Sequence, residues 1–279
     1  MNRPPAFPRR WKIDRTEPIA ETFSSHIWKV FRSDGSLAVV KALKPFDDVE
    51  DELRGAHFLK WRNGEGAVRL LGRDGRKMLL EYGGDRLLAS MLDAEGDDAA
   101  TLIAADVLQR LHDPSDRPVP AWLQPLRERY AVLFARAKVG DSDPNGLYRQ
   151  AAATADTLLE STRCVRPLHG DLHHDNIVFG PRGWLAIDPK GVLGDPCFDA
   201  ANLFYNPLGQ DALCADPERI ARMARILSRR LELDPRRLLD HAFAYGCLSA
   251  AWHAEDGNVK DENRELMIAG TIRAVRPSF

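Results

Sequence analysis

Disulfide chemistry has little to work with in this chain. Its 279 residues contain four cysteines, Cys164, Cys197, Cys214 and Cys247, with no paired spacing. That distribution argues against a disulfide framework or a cysteine-based zinc site and suits free thiols in a reducing compartment. No uninterrupted apolar run is long enough to span a bilayer, and the opening Met1-Asn2-Arg3-Pro4-Pro5-Ala6-Phe7-Pro8 leads into no apolar signal core. A cytoplasmic chain with no membrane partner is therefore expected. One-sided charge is missing too: 39 Lys and Arg face 41 Asp and Glu, a formal net charge of -2, so no global basic field argues for nucleic acid. The 20 glycines and 18 prolines are scattered, without a low-complexity tract or an internal repeat. What is left is ordinary globular composition, 44% hydrophobic and 29% charged, in a chain long enough for one large domain or two lobes.

Against that background, one short segment stands out. His169-Gly170-Asp171-Leu172-His173-His174-Asp175-Asn176 is followed at short range by Ile187-Asp188-Pro189. A phosphoryl-transferring site needs a carboxylate to orient a hydroxyl and accept its proton, and Asp171 is the candidate base. It also needs oxygen ligands for magnesium, a hard cation, and Asn176 and Asp188 supply one neutral and one charged oxygen. The three histidines admit a second reading as a metal site. The expectation here is instead that His169 orients the loop, His173 packs near Asp171 and His174 faces the substrate.

The flanking pattern agrees with a nucleotide enzyme. Residues 11 to 82 read mostly as strands, with a hairpin from Ser25 to Arg32 and Leu37 to Leu43 turning at Ser33-Asp34-Gly35. Lys41 ends an apolar strand run, where a point charge can reach nucleotide phosphates. Glu52 is its expected acidic partner on a helix from Asp47 to Trp61, with Glu50 as alternative. Strands are predicted at Val68–Leu71 and Lys77–Tyr82. Gly83-Gly84 then suits a hinge, and Glu81, Tyr82 and Gly83 are expected to line an adenine pocket. Beyond residue 85 helices dominate: Thr101–His112, Trp122–Ala137, Asn145–Thr162 and most of 197 to 277. Short strands at Cys164–Leu168, Ile177–Phe179 and Trp184–Ile187 flank the motif, and Asp216 before Pro217 reads as a helix N-cap. The predicted fold is α+β, protein-kinase-like and two-lobed, with an N-terminal nucleotide-binding lobe over 1–82 and a helical catalytic and substrate-binding lobe over 83–279.

His-Gly-Asp-Leu-His-x-x-Asn followed by Ile-Asp-Pro resembles the aminoglycoside phosphotransferase and choline kinase superfamily. Thr22-Phe23-Ser24-Ser25, Asp51 to Ala56, Trp61 to Gly64, Gly66 to Gly72, Arg182 to Leu185, Asp234 to Asp240 and Tyr245 to Trp252 further resemble the streptomycin 6-phosphotransferases. The resemblance runs from about Pro8 to Arg276. It implies a kinase using ATP and magnesium, with Asp171 as base, Asn176 and Asp188 as metal ligands, and Lys41 paired with Glu52 on the phosphates. A monomer acting on a small aminoglycoside is expected. Two departures stand out. No Gly-x-Gly-x-x-Gly loop appears near the first hairpin, where Ser24 and Ser25 stand instead, and His174-Asp175 replaces the Pro-Gly often found in related antibiotic kinases.

The implied acceptor, streptomycin, carries guanidinium groups, which carboxylates bind in a bidentate fork and an indole can stack upon. Asp175, Asp195, Asp199, Glu255 and Asp256 are the candidate carboxylates and Trp252 the candidate platform, with Asp141 and Asp143 as further acids; Asp199 is equally suited to anchoring the catalytic loop. Phosphorylation of the streptidine ring, at its 6-hydroxyl by the resemblance, would inactivate the antibiotic. Three rival readings remain: a kinase of another small hydroxylated molecule such as hydroxyurea or an amino sugar, a non-catalytic kinase-like binding protein, and a metal-dependent hydrolase built on His169, Asp171, His173 and His174.

Overall fold

The computed structural model describes residues 4–45, 49–139 and 143–279. An antiparallel sheet of five strands forms the first third of the chain: β1 (Ile13–Glu21), β2 (Ser25–Arg32), β3 (Leu37–Leu43), β4 (Leu70–Asp74) and β5 (Lys77–Glu81), in the order β1-β2-β3-β5-β4. Period-2 alternation divides its faces. Trp28, Val30, Ala38, Val40 and Leu79 pack with Trp11 into a small outer core. Leu43, Met78 and Leu80 join the main core instead. Lys41 follows Val40, so the pleat turns it toward the interior of the molecule rather than toward that outer core. Gly35 adopts a φ of +80° in the predicted β2–β3 turn, a conformation glycine takes without penalty.

Helix α1 (Glu50–Arg62) crosses between β3 and β4. Its predicted start at Asp47 lies outside the described residues. The helix lies against the segment after Asp188: a Cβ on Gly55 would sit 1.9 Å from the Pro189 carbonyl oxygen. Only glycine permits that approach, which holds α1 against the metal-ligand candidate.

The remainder is mainly helical. The long helix Pro235–Glu255 packs against Val259–Val275, Leu147–Ser161 and Pro196–Ala201, while Asp97–His112 packs against Pro217–Leu231. Two three-stranded sheets frame the motif. One joins Gly183–Ala186, Ile177–Gly180 and Arg86–Leu87; the other joins Gln124–Pro125, Val192–Gly194 and Arg166–Leu168. A single core runs from Leu43 and Phe58 through Leu172 and Ile177 to Leu248 and Ile272, so the sheet region and the helical region share one apolar interior. Among the described residues, no helix is long and apolar enough to cross a membrane.

Several predicted elements change, and three of them have a local cause or a new partner. The helix predicted over Trp122–Ala137 begins only at Leu126 and breaks at Tyr130, because Pro125 biases Gln124 toward extended backbone and the pair forms a short strand. The strand expected at Val68 starts at Leu70, with Ala67 bridging to Ala186 instead. The strand expected from Cys164 shortens to Arg166–Leu168. Asp216 does cap its helix, accepting from the Glu218 and Arg219 amides at 3.0 and 3.2 Å with Pro217 at the first helical position.

Candidate active site

The antiparallel hairpin Ile177–Gly180/Gly183–Ala186 sets the geometry of the motif. Pairing of Ile177 with Ala186, continued by the Ile187 amide donating to the Asn176 carbonyl at 2.9 Å, brings Asn176 and Asp188 to the same open end. Nδ2 of Asn176 donates to the Asp171 carbonyl at 2.9 Å, which commits the amide nitrogen and leaves the side-chain oxygen as the ligand end. Asp188 has a φ of +59°, a left-handed conformation unusual for a residue with a side chain. Such strain is kept where surrounding contacts over-determine it. Those contacts are cationic: Lys41 bonds one carboxylate oxygen, and Lys190 lies 3.4 Å from the other. Burial alone pushes the Asp188 carboxyl up, but the charges of Lys41 and Lys190 outweigh it and hold the group well below the usual carboxylate range.

Glu52 faces the same two cations. It accepts from Lys41, from Lys190 at 3.2 Å and from the Ser24 hydroxyl at 3.1 Å. Lys41, Glu52, Asp188 and Lys190 thus form an alternating quartet of two cations and two carboxylates. Lys190 was not picked out from the sequence; it directly follows Pro189, and no periodicity marks it. It is held protonated by Asp188, Glu52 and Asp171 against the opposing effect of burial. The turn before β2, where Ser24 and Ser25 stand in place of a glycine-rich loop, is locked by hydrogen bonds: the Ser25 amide donates to Thr22 Oγ1 at 3.0 Å and the Thr22 amide to the Ser25 carbonyl at 2.8 Å.

Asp171 is oriented by residues distant in sequence. Asn202 Nδ2 donates to Asp171 Oδ1 at 3.0 Å, and Asn206 Nδ2 donates to Asn202 Oδ1 at 2.9 Å. Both amides are almost fully buried, so the relay is rigid. The loop beneath rests on Asp199, which accepts the His169 and Gly170 amides at 2.8 and 2.6 Å and stands 3.0 Å from His112 Nε2. Burial pushes the Asp199 carboxyl up, but the His112 hydrogen bond and the neighbouring imidazole and amide donors prevail and lower it. His169 Nδ1 accepts the Asp171 amide at 3.2 Å and its Nε2 faces the Ile187 carbonyl at 2.8 Å, a pairing that requires the Nε2–H tautomer. Burial lowers its pKa and keeps it neutral.

Several expected site residues turn out to be engaged elsewhere. Asp199 is the loop anchor just described, 1% exposed, and presents no carboxylate to an acceptor. Asp195 caps the helix Pro196–Ala201 through the Cys197 amide and pairs with Arg237 at 2.6 Å and His241 at 3.7 Å, so its oxygens are filled as well. The Glu81 carboxylate is held by Arg182 at 2.7 Å on each oxygen and by the Arg69 amide at 3.0 Å; it ties the sheet to the motif hairpin instead of facing a nucleotide. Trp252 already carries a guanidinium, that of Arg129, 5.0 Å from the ring centroid, which in turn pairs with Asp51 at 3.0 Å. Asp143 caps the helix Leu147–Ser161 by accepting the Tyr148 amide at 2.8 Å, and Asp141 lies outside the described residues. His174 is fully buried with neither ring nitrogen partnered, so it does not face a substrate; burial lowers its pKa to about 4.

The remaining candidates stay accessible. Asp175 is part-exposed, with its carboxylate 3.9 Å from His173 Nδ1, and Glu255 and Asp256 lie exposed at the end of their helix. Tyr82 accepts from Lys29 Nζ at 3.0 Å, and Gly83 sits where a Cβ would meet Val178 at 2.7 Å. Among the described residues, no group of three or more His, Cys, Asp or Glu is arranged to hold a metal ion. The oxygen pair Asn176 and Asp188, beside the cations Lys41 and Lys190, has a donor set that suits magnesium shared with phosphate oxygens.

Comparison with known proteins agrees with this geometry. Residues 10–257 match the aminoglycoside/hydroxyurea antibiotic resistance kinase family. The chain is 38% identical over 253 residues to a streptomycin 3''-kinase of Klebsiella pneumoniae, covering 89% of this chain and 91% of that protein. It is 32% identical over 274 residues to a streptomycin 6-kinase of Streptomyces griseus, covering 94% of this chain and 86% of that protein. In fold it is similar to a thermostable mutant of aminoglycoside phosphotransferase APH(4)-Ia, solved in a ternary complex with ADP and hygromycin B, with a TM-score of 0.67 at 14% identity, covering 97% of this chain and 96% of that chain. The chain belongs to the aminoglycoside/hydroxyurea antibiotic resistance kinase family, on a protein-kinase-like fold.

Proposed function

We propose that this chain transfers the γ-phosphoryl group of ATP to a hydroxyl of streptomycin and so inactivates the drug. The observation that carries the reading is the pairing of an oriented Asp171 with the Lys41–Glu52–Asp188–Lys190 quartet at one end of the motif hairpin. Asp171 orients the acceptor hydroxyl and takes its proton as the new O–P bond forms and the bond from phosphorus to the departing ADP oxygen breaks. Lys41 and Lys190 place positive charge where the phosphates lie. Asn176 and Asp188 would hold magnesium, which supplies neutralising charge on the phosphate oxygens. Tyr82 and Gly83 directly follow β5, where their backbone groups would meet a purine edge. Asp175, Glu255 and Asp256 are accessible carboxylates for the cationic acceptor.

The proposed position is the 6-hydroxyl of the streptidine ring. The higher identity to a 3''-kinase, 38% against 32% for the 6-kinase, favours the 3''-hydroxyl as the second possibility. Mass spectrometry of streptomycin incubated with protein, ATP and magnesium tests the activity: a gain of one phosphoryl group with wild type and none with Asp171→Asn is expected, and no gain with wild type refutes it. Phosphorus-coupled NMR of the product then assigns the hydroxyl.

A further inference from the structure

Cys164 differs from the other thiols of the chain. Cys197, Cys214 and Cys247 are buried, and burial pushes each of their thiols up, away from the ionised form that attacks disulfides. Cys164 is exposed, and its Sγ accepts from Arg166 Nε at 3.1 Å. A guanidinium therefore lies against the sulfur where thiolate charge would form.

The thiol stands on the wall of an open cavity of about 770 Å³, bounded by the ends of the helices Asp97–His112 and Pro217–Leu231 and by the strand Arg166–Leu168. A volume of this order suits a small molecule. The lining carries unpaired charge of both signs: among the described residues, Arg163 and Arg166 pair with no carboxylate, and Asp113 and Glu232 pair with no cation. His112, 8% exposed, lines the same cavity. Its Nε2 is engaged by Asp199 at 3.0 Å, a pairing that leaves Nδ1 as an acceptor. That Nδ1 bonds to nothing among the described residues and, unlike the ring nitrogens of His174 and His241, is not enclosed. Free guanidiniums, free carboxylates and an open acceptor beside a thiol complement a molecule that carries carboxylate, ammonium and amide groups together with sulfur.

We infer that Cys164 is a reversible thiolation site that takes a small peptide thiol, bearing carboxylate and ammonium groups, into a mixed disulfide. The reagent is the symmetrical disulfide of that thiol. The Cys164 thiol gives its proton to solvent, and its thiolate attacks one sulfur of the reagent. A new S–S bond forms to Cys164, the old S–S bond breaks, and the second half leaves as a thiolate. The Cys164 sulfur is thereby oxidised and the departing sulfur reduced. Excess thiol reverses the step. The inference stands apart from the kinase reading.

The test treats the full-length protein with oxidised glutathione and, as an uncharged reference, bis(2-hydroxyethyl) disulfide. Intact mass and peptide mapping follow the adduct, and N-acetylcysteine amide gives the intrinsic rate of each reagent with a free thiol. Oxidised glutathione is expected to place one adduct on Cys164, removed by dithiothreitol and absent from Cys164→Ser. Its rate relative to the uncharged disulfide should exceed the same ratio for the free thiol by roughly fivefold, the size that one or two partly exposed ion pairs supply. Arg163→Gln, which removes no hydrogen bond or ion pair among the described residues, should lose part of that preference, and Arg163→Gln with Arg166→Gln the rest. Thermal melting verifies that each variant is folded, and the single variant keeps the test decisive if the double one is not. An exposed cysteine without a recognising cavity shows the free-thiol ratio in every form. That result, a preference untouched by either substitution, or an adduct confined to Cys197, Cys214 or Cys247 overturns the inference.

Discussion

Removal of the Asn202 side chain offers a sharp perturbation of Asp171, the proposed base, that leaves the Lys41–Glu52–Asp188–Lys190 quartet in place. Asn202 Nδ2 donates to Asp171 Oδ1 at 3.0 Å from a buried amide to a part-buried carboxylate. A hydrogen bond to a charged acceptor contributes about 1.5–3 kcal/mol. At 1.36 kcal/mol per decade, Asn202→Ala should lower kcat by roughly 10- to 150-fold, provided the whole bond acts on the orientation of Asp171 in the transition state. Collateral loss is small, because Asn206 Nδ2 retains the Asn202 backbone carbonyl at 3.1 Å. The assay is ADP release with streptomycin and magnesium-ATP at saturation, on wild type, Asn202→Ala, Asp171→Asn and the double variant. Asp171→Asn alone should cost on the order of 10²–10⁴-fold. If Asn202 works through Asp171, the double variant is scarcely slower than Asp171→Asn. Wild-type turnover in Asn202→Ala, or a full additive loss in the double variant, would refute the positioning role.

Other perturbations separate scaffold from chemistry. Asp199→Ala strips two loop amides and His112 of their shared acceptor and should lower unfolding stability by about 3–5 kcal/mol, read as a drop in urea midpoint. Gly55→Ala should destabilise although alanine is the better helix former by about 1 kcal/mol, because its Cβ would lie 1.9 Å from the Pro189 carbonyl; a raised melting temperature would contradict the close packing of α1. Burial raises the folded-state pKa of Glu265 from 4.5 to about 7, so the folded state holds the extra proton and its stabilisation is lost as pH rises through that interval. The stability of Glu265→Gln relative to wild type should therefore increase from pH 4.5 to 7, by up to about 3 kcal/mol, and a flat difference would refute the burial argument. His174, lowered to about 4, acts with the opposite sign: the neutral ring favours the fold above pH 6.5 and that preference is lost as pH falls toward 4, so His174→Phe should flatten the acid limb of wild-type stability.

The readings that held were those carried by local patterns. Gly35 follows Ser33-Asp34 between two alternating runs, and a turn is the one structure that such neighbours allow. Asp216 and Pro217 announce a helix start by their own chemistry, whatever packs around them. The mistaken assignments share a different cause. Asp195 and Asp143 stand among the acids expected to face the acceptor, yet the folded chain supplies both with donors, Arg237 from 42 residues away and the amides of a helix end, while Asp199 takes its alternative role of loop anchor through donors that include His112 from 87 residues away. A carboxylate looks the same in sequence whether its partner is solvent, substrate or a distant arginine.

By itself the sequence determined the kinase-like order of elements and the catalytic motif, because Asp171, Asn176 and Asp188 sit within one loop and one hairpin, where spacing is geometry. Only the tertiary structure decided what surrounds them. Lys190 became the second cation of the quartet because α1 brings Glu52 beside it. Asn202 became the orienting donor of Asp171 because a helix 31 residues downstream folds back under the loop. Glu265 was left with an unpartnered oxygen because its helix buries it among Asp211, Asp261 and Arg264. Hydrogen bonds and charge pairs act over a few ångströms of space, and chain separation says nothing about which groups the fold will bring that close.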